Sequence, residues 1–308
     1  MDAIILDIQR MSTEDGPGLR STVFFKGCNL ACPWCHNPES INKKPDLNWF
    51  PRKCMGCNIC QNTCPQQGIG RKGNNVTFIR SLCKACASCV DACPQAAIEL
   101  KGKPYAVEKL AAELLKDRAY FGDDGGVTLS GGELMIQHEA ALELVKLLKA
   151  HGLHIAIDTA GHYEFRFLEA MLPFIDLVLY DLKIFDNDAH KRIIGCGNRL
   201  ILENYKQLMD RKTEVWVRTP IIKDATDSAE NIAAIGNFIA ETGLSSNWQP
   251  QRWELCAFNN LCGDKYERLD LDWDYKGIGL TEKSHIEKLT QIASRHVPAA
   301  VYTGAVYT

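Results

Sequence analysis

Residues 22–40 read TVFFKGCNLACPWCHNPES, and this stretch decides both the fold and its chemistry. The β-branched and aromatic run TVFF predicts a buried strand. The loop after it carries Cys28, Cys32 and Cys35 in a C-x3-C-x2-C pattern. Three thiolates hold three irons of a [4Fe–4S] cube and leave the fourth iron open. Because an open position is typical of catalytic metal centres, we expect a further ligand to bind there.

Strands and helices are predicted to alternate along most of the chain. Short apolar runs predict further strands at 127–129, 154–157, 177–180, 215–217, 253–255 and 299–302. Stretches of helical period lie between most of them, at 107–115, 138–150, 163–171, 202–209, 228–242 and 282–295. Strand followed by helix indicates parallel βαβ units, and six or more of them predict an α/β fold of the partial (βα)6-type TIM barrel kind. Such barrels bind their ligands at the C-terminal ends of the strands.

The alternation stops once, from about residue 48 to residue 103. This segment contains eight cysteines and two Cys-Pro dipeptides but no long periodic stretch. A small domain of this kind depends on its metal sites for stability. We therefore expect a barrel domain made of residues 1–47 and 104–308, interrupted by a ferredoxin-like insert at 48–103.

The cysteines of the insert follow the pattern C-x2-C-x2-C-x3-C-P twice, at Cys54, Cys57, Cys60 and Cys64 and again at Cys83, Cys86, Cys89 and Cys93. In two-cluster ferredoxins the fourth cysteine of each run ligates the other [4Fe–4S] cluster. The pattern therefore predicts one cluster on Cys54, Cys57, Cys60 and Cys93 and another on Cys64, Cys83, Cys86 and Cys89. A pair of structural zinc sites is the alternative, since C-x2-C pairs also bind tetrahedral zinc.

Composition and charge narrow the functional classes. The chain has 308 residues, of which 46% are hydrophobic and 24% charged, as is typical of a globular protein. A formal net charge of -3 provides no large positive field, so neither nucleic acid nor an anionic membrane is expected as a partner. No apolar run is long enough for a membrane span, and residues 1–10 lack the basic start of an export signal. We expect a soluble, cytoplasmic protein.

The distribution of cysteines also points to metal chemistry. Eleven of the fourteen cysteines lie between Cys28 and Cys93. In a chain of this size without an export signal, such a concentration indicates metal or redox sites rather than disulfides. The remaining three are expected to be ordinary buried thiols: Cys196, Cys256 and Cys262.

With these features the chain resembles the radical S-adenosylmethionine (SAM) superfamily, whose members hold a three-cysteine cluster on the loop after the first barrel strand. Three later strand ends extend the resemblance, namely SGGE at 130–133, DTAG at 158–161 and DLK at 181–183. The resemblance implies that SAM binds the open iron through its amino and carboxylate groups. Because these motifs end successive strands, they are expected at the same mouth of the barrel.

A narrower resemblance is to the glycyl radical enzyme activating enzymes. The motifs DGPGLR at 15–20, WCHNPES at 34–40 and VRTP at 217–220 follow that family's order, and the resemblance covers nearly the whole chain. The paired ferredoxin-like insert resembles the branch that activates decarboxylases, dehydratases and C–X lyases. One position departs from the pattern, because the family usually has a histidine where Asn259 stands; an asparagine can still form hydrogen bonds.

The resemblance implies cofactors, partners and site residues. The cofactors are three [4Fe–4S] clusters, SAM and a monovalent cation at Asp158, Thr159 and Asp181. The partners are a glycyl radical enzyme and a flavodoxin or ferredoxin-type electron donor. The residues implied in SAM binding are Trp34, Cys35, His36, Ser130, Gly131, Gly132, Glu133, Asp158, Asp181, Leu182, Lys183, Arg218 and Asn259.

In the implied reaction, one electron from the cluster at Cys28, Cys32 and Cys35 splits SAM into methionine and a 5′-deoxyadenosyl radical. The radical removes a hydrogen atom from the Cα of a glycine in the partner, so the protein itself needs no acid, base or nucleophile. Because the radical reaches only a short distance, the partner's glycine loop must lie across the barrel mouth. Asp15, in the DGPG turn, is expected either to accept a backbone N–H from that loop or to close its own turn.

Two other functions stay open at this point. A radical SAM enzyme acting on a small molecule or peptide would often carry its extra clusters towards the C-terminus, whereas here they lie between the first strands. A ferredoxin-like electron carrier fused to an inert barrel would have no need of the open three-cysteine site.

Overall fold

The computed structural model describes residues 1–307, and a nine-stranded sheet is its largest element. The strands in chain order are β1 (Asp2–Ser12), β2 (Arg20–Phe25), β3 (Asp46–Trp49), β4 (Ile69–Lys72), β5 (Asn75–Phe78), β6 (Ile98–Lys101), β7 (Lys103–Ala106), β8 (Gly126–Gly131), β9 (His154–Thr159), β10 (Leu177–Asp181), β11 (Val215–Ile221), β12 (Arg252–Ala257), β13 (Thr281–Glu282), β14 (Ala300–Thr303) and β15 (Val306–Tyr307).

The α-helices in chain order are α1 (Ile59–Thr63), α2 (Ser88–Asp91), α3 (Val107–Leu115), α4 (His138–Ala150), α5 (Phe165–Glu169), α6 (Asn187–Ile194), α7 (Arg199–Asp210), α8 (Ala229–Ser246), α9 (Gly263–Arg268) and α10 (Lys283–Ser294). Short 3-10 helices lie at Pro38–Ser40, Pro51–Lys53, Arg118–Tyr120, Leu134–Gln137 and Leu172–Phe174.

The main sheet has the strand order β14-β12-β11-β10-β9-β8-β2-β1-β7. The strands from β14 to β2 are parallel to their neighbours, whereas β1 pairs antiparallel with both β2 and β7. The α/β fold with a large parallel sheet that the alternation predicts is therefore confirmed. Within residues 1–307, β14 and β7 remain at the two edges of the sheet, so the parallel strands form an open sheet and not a closed barrel.

Apolar side chains cover both faces of the parallel strands. β8 and β10 are buried along nearly their whole length, as is typical of parallel strands covered by helices. The helices contribute apolar residues at helical spacing, such as Leu110 and Leu114 in α3 and Leu144 and Leu148 in α4, all fully buried. This core holds the C-terminal ends of the strands in one rigid row.

Several elements lie outside the predicted set, among them β1, β7 and α6. Most side chains of β1 and β7 are partly or fully exposed, because both strands lie at or next to one edge of the sheet. α6 buries only His190 and Ile194. Half-exposed elements of this kind lack the continuous apolar pattern by which buried strands and long helices are predicted.

The segment between β3 and β6 repeats one backbone conformation at an interval of 29 residues. Left-handed φ angles occur in matched pairs, at Gly56 (75°) and Ala85 (54°), at Asn58 (62°) and Ala87 (63°), and at Gln67 (51°) and Ala96 (46°). Two small antiparallel sheets, β3 with β6 and β4 with β5, frame the repeat, whereas β7 already belongs to the main sheet. The doubled cysteine pattern thus folds as a doubled structure.

The side chain of Gln137 connects the start of β1 to the end of β2. Its Oε1 accepts a hydrogen bond from the Ile4 N–H at 2.7 Å, and its Nε2 donates to the carbonyl oxygens of Ile4 at 2.9 Å and Lys26 at 2.8 Å. Lys26 comes just before the loop that carries Cys28. The amide of Gln137 therefore fixes the position at which the cysteine loop leaves the sheet.

We expect Gln137→Leu to lower the free energy of unfolding by about 2 kcal/mol, because it leaves partly buried backbone groups without partners. The change is measurable as a lower Tm by circular dichroism under anaerobic conditions. Glu139→Gln, at an exposed position of α4, is the matched control and should stay within about 0.5 kcal/mol of the parent. Equal Tm values for the two variants would contradict this role of Gln137.

Candidate functional site

A cavity of about 420 Å³ lies at the C-terminal ends of the parallel strands. The cysteine loop after β2 contributes Cys28, Cys32 and Cys35 to its lining, and six further strands contribute residues at or near their ends: Ser130, Gly131, Asp158, Thr159, Asp181, Arg218, Pro220, Cys256, Ala257 and Thr303. The cavity thus lies where a parallel α/β sheet is expected to bind its ligand.

Most of the residues that the resemblance implies in SAM binding line this cavity. They are Trp34, Cys35, His36, Ser130, Gly131, Gly132, Asp158, Asp181, Lys183, Arg218 and Asn259. Two others do not line it. The side chain of Leu182 packs in the main core with 3% exposure, and Glu133 is buried behind the glycine loop with 1% exposure.

Glu133 joins the loop after β8 to the loop after β9. Its carboxylate accepts hydrogen bonds from the Thr159 hydroxyl at 2.9 and 3.0 Å and from the Ala160 N–H at 3.1 Å. Burial raises the pKa of Glu133 to about 7. The carboxylate is thus used by its own neighbours and supports the glycine loop, while a contact between residue 133 and SAM stays a prediction.

The three cysteines of the open site lie in a strongly desolvated loop. Burial raises the pKa of Cys32 to about 11 and that of Cys35 to about 12. Cys28 Sγ accepts a hydrogen bond from the Leu30 N–H at 3.4 Å. Buried thiolates need nearby positive charge, and an iron cluster supplies it to all three sulfurs at once. The three cysteines line one cavity, so a single cluster could bind all three sulfurs and offset the cost of ionising them.

Residues near the C-terminal part of the chain hold this loop in place, and the sequence analysis does not identify them. The Tyr266 hydroxyl donates to the Cys35 carbonyl at 2.9 Å, and the Trp273 indole N–H donates to the Pro33 carbonyl at 3.1 Å. Lys265 Nζ donates to the His36 carbonyl at 3.0 Å. The only signal for them is an aromatic cluster in a segment without helical or strand period, which is too weak for a prediction.

Charges of both signs face each other across the cavity. Asp158 accepts from the Ser130 hydroxyl at 2.8 Å and lies 3.8 Å from Arg218 Nη1, while Lys183 forms an ion pair with Asp181. Burial raises the pKa of Asp158 to about 6. Burial lowers the pKa of Lys183, but the carboxylate of Asp181 more than offsets this and the net pKa is raised. Such a site suits a zwitterionic ligand that pairs its ammonium and carboxylate with opposite side chains.

The carboxylate of Asp15 closes its own turn. Its Oδ2 accepts from the hydroxyls of Ser12 and Thr22, each at 2.7 Å. The neighbouring residue Glu14 lines the cavity, and its carbonyl accepts from Arg218 Nη2 at 3.0 Å. The DGPG turn thus borders the cavity mouth, although Asp15 itself is not part of the lining.

The eight cysteines of the insert line two separate small cavities. The first-run cavity is lined by Cys54, Cys57, Cys60 and Cys93, and the second-run cavity by Cys64, Cys83, Cys86 and Cys89. These are the crossed sets that the doubled motif predicts for two cubes. The fourth cysteine of each run accepts a backbone hydrogen bond at its sulfur. The Gly68 N–H donates to Cys64 at 3.4 Å, and the Ala97 N–H donates to Cys93 at 3.2 Å. Each cavity therefore offers four sulfurs, at least one of which accepts a backbone hydrogen bond.

Gly132 gives a direct test of how the cysteine loop is placed. A Cβ at this residue would lie 2.1 Å from the Gly27 carbonyl oxygen and 3.0 Å from that of Ser40. We therefore expect Gly132→Ala to push the loop with Cys28 away from the strand ends, lowering both the iron content and Tm.

Gly277→Ala is the matched control, since within residues 1–307 its Cβ would meet no atom closer than 4 Å. It should keep the parent iron content and Tm. Full iron incorporation and an unchanged Tm in Gly132→Ala would contradict the placement of the loop.

The chain matches proteins of known family over most of its length. The 4Fe-4S single cluster domain family matches residues 14–193. The chain is 36% identical over 296 residues to the trans-4-hydroxy-L-proline dehydratase activating enzyme of Clostridioides difficile, covering 95% of each chain. It is 34% identical over 307 residues to the indoleacetate decarboxylase activating enzyme of Tractidigestivibacter scatoligenes, covering 96% of each.

A solved structure shows the same fold at low sequence identity. Streptococcus suis SuiB bound to precursor peptide SuiA aligns with a TM-score of 0.55 and 11% identity, over 90% of this chain and 47% of that one. In residues 1–307 no helix is both long and apolar enough to cross a bilayer. From the identity and coverage of its relatives, the chain belongs to the glycyl radical enzyme activating enzymes of the radical SAM superfamily.

Proposed function

We propose that this protein cleaves SAM reductively and uses the 5′-deoxyadenosyl radical to abstract a hydrogen atom from a glycine Cα of a partner glycyl radical enzyme. The observation that carries the proposal is the single cavity that unites Cys28, Cys32 and Cys35 with the polar ends of the parallel strands. The relatives named above activate a dehydratase and a decarboxylase. We propose a partner of the same broad class.

The residues of the cavity divide into those that hold the cluster and those that hold SAM. A reduced cluster on Cys28, Cys32 and Cys35 supplies the electron that splits the sulfonium. Asp158 and Asp181 offer carboxylates to the ammonium of the methionine part, while Arg218 offers a guanidinium to its carboxylate. Lys183 stays paired with Asp181.

The other end of the cavity suits the adenosine part of SAM. His36 Nε2 is buried and has no hydrogen-bond partner within residues 1–307, and burial lowers the pKa of His36. A neutral imidazole in this position can hydrogen-bond the base or ribose. Phe258 lies beside His36, with 5.9 Å between ring centroids, and shields the site from water. Asn259 also lines the cavity, but its Oδ1 accepts from the Leu261 N–H at 3.2 Å, which leaves its amide NH₂ for SAM.

We also propose that a monovalent cation binds in this cavity, with fewer available ligand atoms than the resemblance implies. The Thr159 hydroxyl donates to Glu133 and accepts from the Gly161 N–H at 3.1 Å, so little of its hydrogen-bonding capacity is left for an ion. Arg218 and Lys183 already balance Asp158 and Asp181. A cation would therefore share these carboxylates and use the main-chain oxygen of Thr159.

We also propose that residues 48–103 form a separate ferredoxin-like domain with two further [4Fe–4S] clusters. This domain receives electrons from a flavodoxin or ferredoxin-type donor. Each cavity is lined by the first three cysteines of one run and the fourth cysteine of the other run. This exchange is typical of two-cluster ferredoxins, whereas zinc binding by C-x2-C pairs does not require it, so the grouping supports two cubes over two zinc sites. Cys57 and Cys86 are exposed, so both cavities lie close to the surface that a donor reaches.

Iron content tests the number of clusters. The reconstituted protein should hold about twelve irons, and replacement of Cys28, Cys32 and Cys35 together by Ala should lower this to about eight and abolish SAM cleavage. Cys262→Ala, at a buried thiol outside all three sets, should retain about twelve irons. An iron content unchanged by the triple substitution would contradict the assignment.

Asp15→Asn tests recognition of the partner's glycine loop. An asparagine keeps one side-chain oxygen that can accept from the hydroxyls of Ser12 and Thr22. Its NH₂ group, however, is a donor and cannot accept a hydrogen bond from a backbone N–H of the partner's loop. Iron content and SAM cleavage without partner should stay near the parent values, while the yield of glycyl radical measured by electron paramagnetic resonance falls at least tenfold, or roughly 1.4 kcal/mol. Equal loss of cleavage and radical yield would show that Asp15 only closes its turn.

A further inference from the structure

The two cavities of the insert are built from equivalent positions of the 29-residue repeat. Besides the cysteines, matched residues line them both: Pro94 and Pro65, Gln95 and Gln66, Ile98 and Ile69, Val76 and Leu47. With such closely matched surroundings, two cubes would have similar reduction potentials. Any difference in potential must come from positions at which the repeat differs.

The aromatic position of the repeat is one such difference. Trp49 lines the first-run cavity, and its equivalent in the second-run cavity is Phe78. The two rings occupy corresponding strand ends, at the C-termini of β3 and β5. Only the tryptophan carries a hydrogen-bond donor.

The indole N–H of Trp49 lacks a partner within the chain. Trp49 is 7% exposed, and its Nε1 is buried without a hydrogen bond to any of residues 1–307. A buried donor left without an acceptor loses its hydrogen bond to water and gains none in return, which is unfavourable. Trp49 lines the first-run cavity together with the four cysteines of its set, so the sulfurs of a cube held there are acceptors for this donor.

We propose that Trp49 donates a hydrogen bond to the cube held by Cys54, Cys57, Cys60 and Cys93 and thereby makes it easier to reduce than the cube of the second-run cavity. The inference rests on the proposed function, which places a cluster in each cavity. A hydrogen bond to cluster sulfur stabilises the negative charge added on reduction, so it raises the potential. In this role Trp49 is a positioning and tuning residue, not a catalytic one.

The charged side chains that line the two cavities also favour a higher reduction potential for the cube of the first-run cavity. Arg71 lines the first-run cavity, held by hydrogen bonds to Asn58 Oδ1 and the Asn74 carbonyl, both at 2.7 Å, and its repeat equivalent is Leu100. Lys84 lines the second-run cavity but is exposed to solvent, which screens its charge. The half-buried guanidinium of Arg71 therefore adds to the effect of Trp49.

Each cavity has one exposed cysteine, Cys57 in the first-run cavity and Cys86 in the second-run cavity, so a donor protein can approach either cube. Because the cube of the first-run cavity has the higher potential in this proposal, an electron from a reduced donor protein resides on it at equilibrium. That cube becomes reduced by one electron, and the donor becomes oxidised by one.

The test is a redox titration followed by electron paramagnetic resonance. It uses the reconstituted full chain and, for simpler spectra, the chain that carries the Cys28, Cys32 and Cys35 to Ala substitutions. Trp49→Phe keeps an aromatic ring and removes only the donor, so the higher of the two insert potentials should fall while the lower one stays unchanged. Phe78→Trp adds the donor to the other cavity and should raise the lower potential.

Iron content separates failure of the inference from failure of the proposed function. About four irons in the parent chain would overturn the cluster assignment and this inference with it. About twelve irons with no shift in Trp49→Phe, or with both insert potentials shifted equally, would overturn the inference alone. If the Trp49→Phe variant loses the cluster of the first-run cavity, the Phe78→Trp variant tests the inference instead. An unchanged lower insert potential in Phe78→Trp would overturn the role of the indole.

Discussion

The close backbone contact between the glycine loop after β8 and the cysteine loop after β2 is the constraint on which the site depends. The Glu133 N–H donates to the Gly27 carbonyl at 2.7 Å, and the Gly27 N–H donates to the Ser40 carbonyl at 2.6 Å. Only a residue without a side chain fits at Gly132, since a Cβ would overlap the Gly27 carbonyl. This contact holds Cys28, Cys32 and Cys35 over the strand ends and so creates one cavity from two distant segments.

The charges of the cavity follow from the same arrangement. Parallel strands that end side by side bring Asp158, Asp181 and Arg218 to one edge of the sheet, although they are far apart in the chain. Behind them, the Glu133 carboxylate accepts hydrogen bonds from the Thr159 hydroxyl and from the Ala160 N–H. The cavity is left with paired charges that can exchange partners with a zwitterion, next to thiols whose burial disfavours the free thiolate.

Much of this arrangement could be predicted from the sequence, because cysteine spacing and buried parallel strands leave strong patterns. The crossed grouping of the insert cysteines and the strand-end motifs SGGE, DTAG and DLK belong to this class. Contacts that depend on packing could not be predicted. The spacing of DLK does not show that Leu182 turns into the core while Asp181 and Lys183 turn into the cavity. Nothing local to Tyr266 or Trp273 shows that they hold the cysteine loop, because their partners lie more than 200 residues away.

Isotope transfer tests the proposed function most directly. A glycyl radical dehydratase or decarboxylase labelled with deuterium at glycine Cα would be incubated anaerobically with this protein, SAM and a reductant. Abstraction from glycine predicts deuterium in the 5′-deoxyadenosine together with a glycyl radical signal in the partner. Formation of 5′-deoxyadenosine without deuterium, at the same rate with and without partner, would contradict glycine as the source of the hydrogen atom.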